Sequence, residues 1–396
     1  MKPLAVTHYS VASALGLGRT EHLQALQQGR SGLVQQDFET AALGTWLGIV
    51  PGVDEVRLPQ HLVDFDCRNN RLAELALLAD DFAARVRAVA RRLGPERVGV
   101  FLGTSTSGIL QTELAYRQRD AQTGALPDSL HYAQTHNTYS VARYVRAALG
   151  LSGPAFVVST ACSSSAKVFA AAARMIEAGL IDAAVVGGVD SLCMTTLYGF
   201  KSLELLSANI CRPWDAARDG LSLGEAAAFA LLEKDAKAAD VQAWLLGAGE
   251  SSDGHHMSSP HPEGAGAADA MRSALAQANL QPGQVDYLNL HGTGTPGNDA
   301  AEDKAVAAVF GTGLPCSSTK GFTGHTLGAA GGVEAVVVML ALQQGFIPAN
   351  LNLQQPDPAL QCACVAQTRE QPLRVAASNS FGFGGSNACL VFGVAE

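Results

Sequence analysis

Apolar and polar positions along the chain change their period at a junction near residue 160. Residues 154–158 form a continuous apolar run rich in β-branched side chains, whereas residues 163–175 are rich in alanine, with apolar residues at helical spacing. This change predicts a buried strand that leads directly into a helix. Residues 182–190 form another continuous apolar run, so residues 154–190 predict a βαβ unit with parallel strands.

The same criteria predict further elements on both sides of this unit. Residues 3–18 predict a strand followed by a glycine-marked loop, and further strands are predicted at 97–102, 223–233, 244–249, 285–290 and 389–394. Helices are predicted at 21–28, 71–93, 139–149, 265–278 and 328–344. Glycine follows several of these helical patterns, as is typical of helix C-termini. Alternating strands and helices indicate an α/β fold.

The order of predicted elements starts again after the polar connector at residues 234–240. Each half contains a strand, a turn of small and reactive residues, and a helix that opens with small residues, as at 161–166 and 324–331. This similarity predicts an ancient duplication with two βαβαβ halves, residues 1–240 and residues 241–396.

Composition narrows the class of protein further. The 396 residues are 47% hydrophobic and only 16% charged, which indicates a large buried core, and the net charge of −9 argues against a nucleic-acid partner. The eight cysteines are scattered without a CxxC pair, so neither a zinc site nor a disulfide framework is predicted. We find no secretory signal and no apolar run of the roughly 18 residues that a membrane span requires. A cytoplasmic location is therefore expected.

Cys162 lies at the predicted junction of strand and helix. A helix N-terminus carries unpaired N–H groups and partial positive charge, which favour a thiolate and can stabilise an oxyanion. The small neighbours Ala161, Ser163 and Ser164 leave room for a substrate. The sequence thus predicts a nucleophile at Cys162, although an inert buried thiol is the alternative for any free cysteine.

Three later stretches combine histidine, lysine and threonine with glycine, at residues 289–299, 318–334 and 379–387. His291 follows the predicted strand 285–290, and sites collect at the carboxyl ends of strands in open α/β sheets. Lys320 and His325 flank a glycine turn before a helix. Taken singly, each of these residues has an equally good structural interpretation.

Together the stretches supply a thiol, two imidazoles and an ammonium group. This set fits a nucleophile with electrostatic stabilisers that acts on a thioester. Asp299 and Glu334 are candidates for orienting the two histidines. A second group, His255, His256 and His261, raises the alternative of a metal site, but its spacing matches no familiar ligand pattern.

Five motifs span most of the chain. They are Thr-Ala-Cys-Ser-Ser at 160–164, Pro-Trp-Asp at 213–215 with Arg-Asp-Gly at 218–220 and Leu-Gly-Glu at 223–225, His-Gly-Thr-Gly-Thr-Pro at 291–296, Lys-Gly-Phe-Thr-Gly-His at 320–325, and Asn-Ser-Phe-Gly-Phe-Gly-Gly at 379–385. The chain resembles in these motifs the β-ketoacyl-acyl-carrier-protein synthases, most closely the elongating enzymes of bacterial fatty-acid synthesis. The resemblance implies a thiolase-like fold with mixed sheets and helices in layers, and a 3-oxoacyl-[acyl-carrier-protein] synthase, an acyltransferase.

The resemblance also implies a reaction, the decarboxylative Claisen condensation. Cys162 takes the acyl chain as a thioester. His291 and His325 hold the malonyl thioester carbonyl and stabilise the enolate that forms on loss of carbon dioxide, which then attacks the acyl-Cys. Two neutral imidazoles can each donate a hydrogen bond to an enolate oxygen. Lys320 and Glu334 support the two histidines.

Further residues receive implied roles in substrate binding. The backbone N–H groups of Cys162 and Phe383 hold the oxyanion, and Phe383 also gates the acyl pocket. Thr293 and Thr295 contact the phosphopantetheine arm. Three more substrate-binding candidates are Ser380, Gly382 and Gly384. The resemblance implies neither a metal nor a redox cofactor, because the phosphopantetheine of the acyl carrier protein carries the substrates.

The chain departs from the family pattern at residues 6–9, 226–228 and 103–109. The Gly-Thr-Ser-Thr-Ser-Gly-Ile sequence at 103–109 replaces a glycine-and-isoleucine run that lines the acyl pocket near the dimer interface. These changes leave the catalytic set intact. They favour a specialised pathway, such as aryl-polyene pigment or aromatic polyketide synthesis, over housekeeping fatty-acid synthesis.

The implied partners are an acyl carrier protein and a second subunit, either another copy of the chain or a chain-length-factor-like protein. An alternative function is that of a non-catalytic chain-length-factor-like subunit, against which Cys162 argues. A thiolase-like enzyme or a chain-initiating synthase is a weaker alternative, because the chain carries two histidines.

Overall fold

The computed structural model describes residues 1–395. The strands are β1 (Leu4–Ser13), β2 (Gly16–Leu17), β3 (Val34–Gln35), β4 (Trp46–Gly48), β5 (Val98–Gly103), β6 (Ala155–Val158), β7 (Ala183–Asp190), β8 (Leu223–Gly224), β9 (Ala226–Glu233), β10 (Ala243–Ser252), β11 (Tyr287–Asn289), β12 (Cys316–Ser317), β13 (Phe346–Ile347), β14 (Arg369–Glu370), β15 (Val375–Gly382) and β16 (Ser386–Val394). The α-helices are α1 (Arg19–Gln28), α2 (Arg68–Leu78), α3 (Phe82–Leu93), α4 (Ile109–Arg117), α5 (Ser140–Leu149), α6 (Ser164–Glu177), α7 (Met194–Ser202), α8 (Ala265–Ala278), α9 (Pro296–Phe310), α10 (Lys320–Thr323) and α11 (Ala330–Gln344).

Ten strands follow one another in a mixed sheet in the order β12-β11-β15-β16-β10-β1-β9-β7-β5-β6. The first five come from the C-terminal half and the last five from the N-terminal half. Their central neighbours, β10 and β1, are antiparallel and pair at Leu4–Leu245, Ala5–Trp244 and Val6–Ala243. Each half therefore contributes five strands, and the two sets meet edge to edge. The domain boundary at 240/241 stays a prediction.

The helices form layers around the sheet. Helices α6 and α11 contact each other and pack on strands of both sets, while α2 and α5 cover the N-terminal set and α8 covers the C-terminal set. The segment Leu327–Gln344 has 18 residues and a mean hydropathy of 1.4, so it reaches the length of a membrane span, contrary to the expectation from sequence. Because 89% of it is buried inside the protein, it is the central core helix of the α/β fold.

The predicted βαβ unit at 154–190 forms, with one difference. Both β6 and β7 are parallel to β5, which lies between them. Strand β6 is at the edge of the sheet, and the Phe156 side chain is 52% exposed. The prediction of a buried strand was therefore wrong for β6, because an apolar run does not show whether a strand is central or at an edge.

The predicted long helix at 71–93 was also wrong, since the chain breaks it into α2 and α3. Asp80 and Asp81 between them have left-handed backbone angles, with φ of 54° and 58°. The Asp80 carboxylate accepts the backbone N–H of Arg19 at 3.0 Å, and its carbonyl lies 2.5 Å from Nε2 of His8. These distant contacts hold the break, so local periodicity could not reveal it. Helices α4, α7 and α9 were not predicted.

Candidate active site

Cys162 lies in a tight turn between β6 and α6. Ala161, directly before it, has a φ of 52°, a strained conformation for a residue with a side chain. The Ser164 hydroxyl accepts the backbone N–H of Thr160 at 2.9 Å and donates to the Ala161 carbonyl at 2.6 Å, which fixes the turn. Cys162 consequently lies at the N-terminus of α6, as predicted, with only 5% of its surface exposed.

The Cys162 sulfur faces hydrogen-bond donors. Nε2 of His325 lies 3.0 Å from Sγ, and the backbone N–H of Phe383 also hydrogen-bonds to it. Burial nevertheless raises the pKa of Cys162 to about 12, although Lys320 and the Phe383 N–H oppose this rise. The enclosure of the turn thus opposes the preference for a thiolate that a helix N-terminus provides, because burial disfavours the charged form of the sulfur.

The backbone fixes the tautomer of His325. Nδ1 of its ring accepts the backbone N–H of Leu327 at 3.2 Å, so the ring proton lies on Nε2, the atom that faces Cys162. Burial and the nearby Lys320 charge lower the pKa of His325 well below its usual value. His325 is therefore a neutral imidazole that donates from Nε2.

His291 presents a second neutral imidazole. Nζ of Lys320 donates to the His291 carbonyl at 2.5 Å and lies 3.4 Å from Nδ1, which leaves Nε2 as the protonated atom. Burial, Lys320 and His325 lower the pKa of His291 well below its usual value. The two histidine rings are 5.3 Å apart between centroids and nearly perpendicular, at 86°.

Lys320 and Glu334 form a buried ion pair behind the histidines. Nζ lies 2.5 Å from Oε1 of Glu334, and both residues are at most 3% exposed. Burial raises the pKa of Glu334 to about 7, whereas Lys320 opposes this rise. Ser380 is buried beside the Glu334 carboxylate, so it lies behind the histidines.

Glu302 is a site residue that the sequence analysis missed. Its carboxylate accepts the backbone N–H groups of His291 at 2.8 Å and Gly292 at 2.7 Å, and the Asn379 amide at 3.1 Å. Asp299, the residue proposed from sequence, instead accepts two backbone N–H groups of neighbouring loops and contacts neither histidine ring. The missed signal is the set of acids at 299, 302 and 303, which share one buried face of α9.

A pocket of about 270 Å³ opens above these side chains. Its lining includes Cys162, His291, His325, Thr293, Thr295, Phe381, Gly382 and Phe383. The hydroxyls of Thr293 and Thr295 are 2.8 Å apart. Phe383 packs on Phe200, with ring centroids 5.5 Å apart, and is 36% exposed at the mouth. The predicted nucleophile and both histidines therefore face one cavity.

A second loop borders the glycine-rich turn at the mouth. The Met257 carbonyl accepts the backbone N–H of Gly384 at 2.8 Å, and the Asp253 N–H donates to Gly385 at 2.8 Å. This loop carries His255, His256 and His261. Among residues 1–395, only Cys162, His291 and His325 bring three potential metal-ligand atoms close together. The three loop histidines therefore do not form a metal-binding cluster.

The pocket joins one cysteine thiol to two neutral imidazoles, a set of groups that suits acyl transfer from thioesters. Comparison with protein families is consistent with this chemistry: residues 76–238 match the description "Beta-ketoacyl synthase, N-terminal domain" and residues 242–354 match "Beta-ketoacyl synthase, C-terminal domain". The chain belongs to the β-ketoacyl synthase family, whose members are acyltransferase-type enzymes.

Relatives cover almost the whole chain. It is 34% identical to nodulation protein E of Rhizobium meliloti strain 1021 and 34% identical to 3-oxoacyl-[acyl-carrier-protein] synthase 2 of Vibrio harveyi, with 98% of both chains covered in each case. It is also 37% identical to a chain in the solved complex of the ketosynthase ApeO with its chain length factor ApeC from Xenorhabdus doucetiae. That likeness has a TM-score of 0.89 and covers 99% of this chain and 98% of the other. The predicted thiolase-like fold is confirmed.

Proposed function

We propose that the chain is a β-ketoacyl-acyl-carrier-protein synthase that condenses an acyl-Cys162 thioester with a malonyl unit. The observation that carries this proposal is the 3.0 Å approach of the Cys162 sulfur to Nε2 of His325, beside a second imidazole at His291. Both Nδ1 atoms accept hydrogen bonds from donors of the protein. Each ring therefore carries its proton on Nε2, where it can donate to a substrate in the pocket.

The first step is acyl transfer to Cys162. The sulfur attacks the carbonyl carbon of the acyl carrier thioester, and the backbone N–H groups of Cys162 and Phe383 hold the oxyanion. The Phe383 N–H beside the sulfur supports this role. The carrier sulfur leaves and takes the thiol proton. His325, which donates to the attacking Cys162 sulfur, stabilises the negative charge that develops there as the thiol loses its proton. Concerted transfer fits a thiol whose pKa is about 12 better than a preformed thiolate does.

The second step uses the two histidines. Both Nε2–H groups donate to the carbonyl oxygen of the malonyl thioester, the bond to the carboxylate breaks, and carbon dioxide leaves an enolate. Neutral imidazoles suit this role because they donate without protonating the enolate. Lys320 keeps His291 neutral, because its ammonium group lies beside Nδ1 and disfavours a second positive charge on the imidazole.

The third step forms the new carbon–carbon bond. The enolate carbon attacks the acyl-Cys162 carbonyl, the carbon–sulfur bond breaks, and the Cys162 thiolate regains a proton from water. No metal is needed in this scheme, because the imidazole atoms that face the pocket carry protons rather than free lone pairs. Thr293 and Thr295 on the pocket wall suit the amide groups of a phosphopantetheine arm.

The partners follow from the same proposal. An acyl carrier protein delivers both substrates. Strand β6 has an unpaired outer edge with Phe156 exposed, which suits pairing with a second subunit, either another copy or a chain-length-factor-like protein. The likeness to the ApeO–ApeC complex favours the second arrangement and a specialised pathway. Cys162 and its two histidines argue that this chain is the catalytic subunit.

Intact-mass spectrometry tests the proposal directly. The protein is mixed with carrier proteins loaded with saturated, polyenyl or aryl acyl chains, and malonyl carrier protein is then added. We expect the mass of one acyl group on Cys162, followed by its loss as product forms. Cys162→Ala should fold and show neither change, whereas Cys67→Ala, at another buried cysteine, should behave as wild type. Condensation by Cys162→Ala would contradict the proposal.

A further inference from the structure

Asp190, at the end of β7, is completely buried and binds six neutral donors. The hydroxyls of Thr104, Ser105 and Thr106 donate to it at 2.7, 2.5 and 2.9 Å, as do the backbone N–H groups of Ser105 and Thr106 at 2.8 and 2.9 Å. The sixth donor is the backbone N–H of Gly328 at 2.5 Å. A buried carboxylate with so many donors joins two segments that are distant in sequence.

One of those segments is the loop that departs from the family pattern. Thr104, Ser105 and Thr106 supply three hydroxyl donors to Asp190, and a run of glycine and isoleucine supplies none. Ser107, next along, has a φ of 46° and donates from its hydroxyl to the Thr135 carbonyl at 2.9 Å. The unusual loop therefore forms a cradle for the Asp190 carboxylate.

The other segment begins two residues after His325. Leu327 has a φ of 53°, and its backbone N–H is the donor that holds Nδ1 of the imidazole. The next N–H along the chain, that of Gly328, is held by Asp190. A side chain at Gly328 would place its Cβ 2.7 Å from the Asp190 carboxylate, so the close approach requires glycine.

We propose that Asp190 is a positioning residue for His325: by holding the Gly328 N–H it fixes the turn whose Leu327 N–H keeps the imidazole proton on Nε2. The expected effect on decarboxylation rests on the proposed function, whereas the expected effect on the His325 tautomer does not. It assigns a purpose to the hydroxyl-rich loop, which completes the set of donors that holds the carboxylate in place.

Asp190→Asn tests the proposal at nearly constant volume. The amide has one acceptor oxygen, and its NH₂ group must face some of the N–H groups that the carboxylate accepted. We expect malonyl decarboxylation to fall by at least about tenfold, because a hydrogen bond to a charged group is lost. Acylation of Cys162 should fall less, by under about threefold, since the backbone donor of Phe383 that holds the oxyanion is untouched. Asp269→Asn, the same substitution at an exposed carboxylate of α8, is the matched control and should stay within about twofold of wild type.

The tautomer of His325 gives a readout that needs no substrate. In protein labelled with ¹⁵N-histidine, protonated and unprotonated ring nitrogens have distinct signals, and the His325 signals are those lost in His325→Ala. We expect a pure Nε2–H tautomer in wild type and a mixture in Asp190→Asn. If that variant does not fold, Gly328→Ala is the alternative, because the added Cβ would push the Gly328 N–H away from the Asp190 carboxylate. It should give the same mixture of tautomers.

The outcomes distinguish this proposal from the function on which its kinetics rest. An unchanged tautomer in a folded Asp190→Asn or Gly328→Ala variant would overturn the role of Asp190. Equal losses of acylation and decarboxylation with that tautomer intact would also overturn it, as they indicate general damage. A wild-type protein that leaves malonyl carrier protein intact would instead overturn the proposed function.

Discussion

Nζ of Lys320 and Oε1 of Glu334 are 2.5 Å apart, on α10 and α11, and both groups are almost completely buried. The pair lies directly behind His291, to which Lys320 also donates. Burying two charges costs free energy that their attraction only partly offsets, whereas removing one partner leaves an uncompensated charge. The stability and the chemistry of the site should therefore respond differently to substitution here.

We predict that Lys320→Met lowers the free energy of unfolding by about 3–5 kcal/mol. Adding Glu334→Gln should recover most of this loss in urea denaturation, because the unpaired charge is gone. Malonyl decarboxylation should remain low in both variants, since Nδ1 of His291 has lost its donor. Lys304→Met removes an exposed ion pair with Glu263 and should cost less than about 1 kcal/mol. A Lys320→Met protein as stable as wild type would show that the pair is not buried as described.

His325→Ala should separate the two half-reactions. We expect malonyl decarboxylation to fall by about 10²–10³, as found for loss of one oxyanion donor, while Cys162 still accepts an acyl group. Decarboxylation is followed by release of labelled carbon dioxide and acylation by intact mass. His61→Ala changes an exposed histidine that is distant from His325 in the sequence, and it should match wild type in both assays. An unchanged decarboxylation rate in His325→Ala would refute the enolate-stabilising role.

Cys162 should react slowly and with a steep pH dependence in the free protein. Because its pKa is raised to about 12, the thiolate fraction should grow about tenfold per pH unit from pH 7 to pH 10. Iodoacetamide labelling, followed by peptide mapping of Cys162, should show this rise without a plateau. Free cysteine, with a pKa of about 8.5, is the reference that does reach a plateau in this range. A plateau for Cys162 near pH 8 would mean that the turn stabilises a thiolate after all.

The exposed edge of β6 predicts an assembly that depends on Phe156. Phe156→Lys places a charge in the edge strand, and charged side chains there oppose strand pairing. We expect a lower molar mass by light scattering, for the chain alone or with its partner subunit. Leu180→Lys changes a similarly exposed side chain, 56% against 52%, outside the strand and should leave the mass unchanged. Equal behaviour of the two variants would place the interface elsewhere.

The sequence predicted the elements whose signals are local. Helix α8 forms over the predicted residues 265–278, and Cys162 lies at a strand-to-helix turn because the apolar period changes there. The break at Asp80 escaped prediction because contacts with Arg19 and His8 hold it. Periodicity describes one segment at a time, so it cannot report contacts made by residues 60 or more positions away.

The candidate site shows the same limit. The sequence supplied Cys162, the two histidines and Lys320, and the structure brings them together. It did not distinguish Glu302 from Asp299, because the choice depends on which acid of α9 faces the backbone of His291. The protonation of Cys162 also escaped prediction, since helix position favours the thiolate while enclosure opposes it, and the degree of enclosure is a property of the folded protein.

The order of strands has a consequence for synthesis on the ribosome. Strand β16 lies between β15 and β10 and is made after every other strand described here, so the C-terminal set of strands cannot close until its residues have emerged. Cys162 in the N-terminal half therefore meets the His325 imidazole late in synthesis, because His325 is translated 163 residues after it. A nascent chain that stalls short of this point therefore carries the Cys162 thiol without the imidazole and the backbone donor that face it.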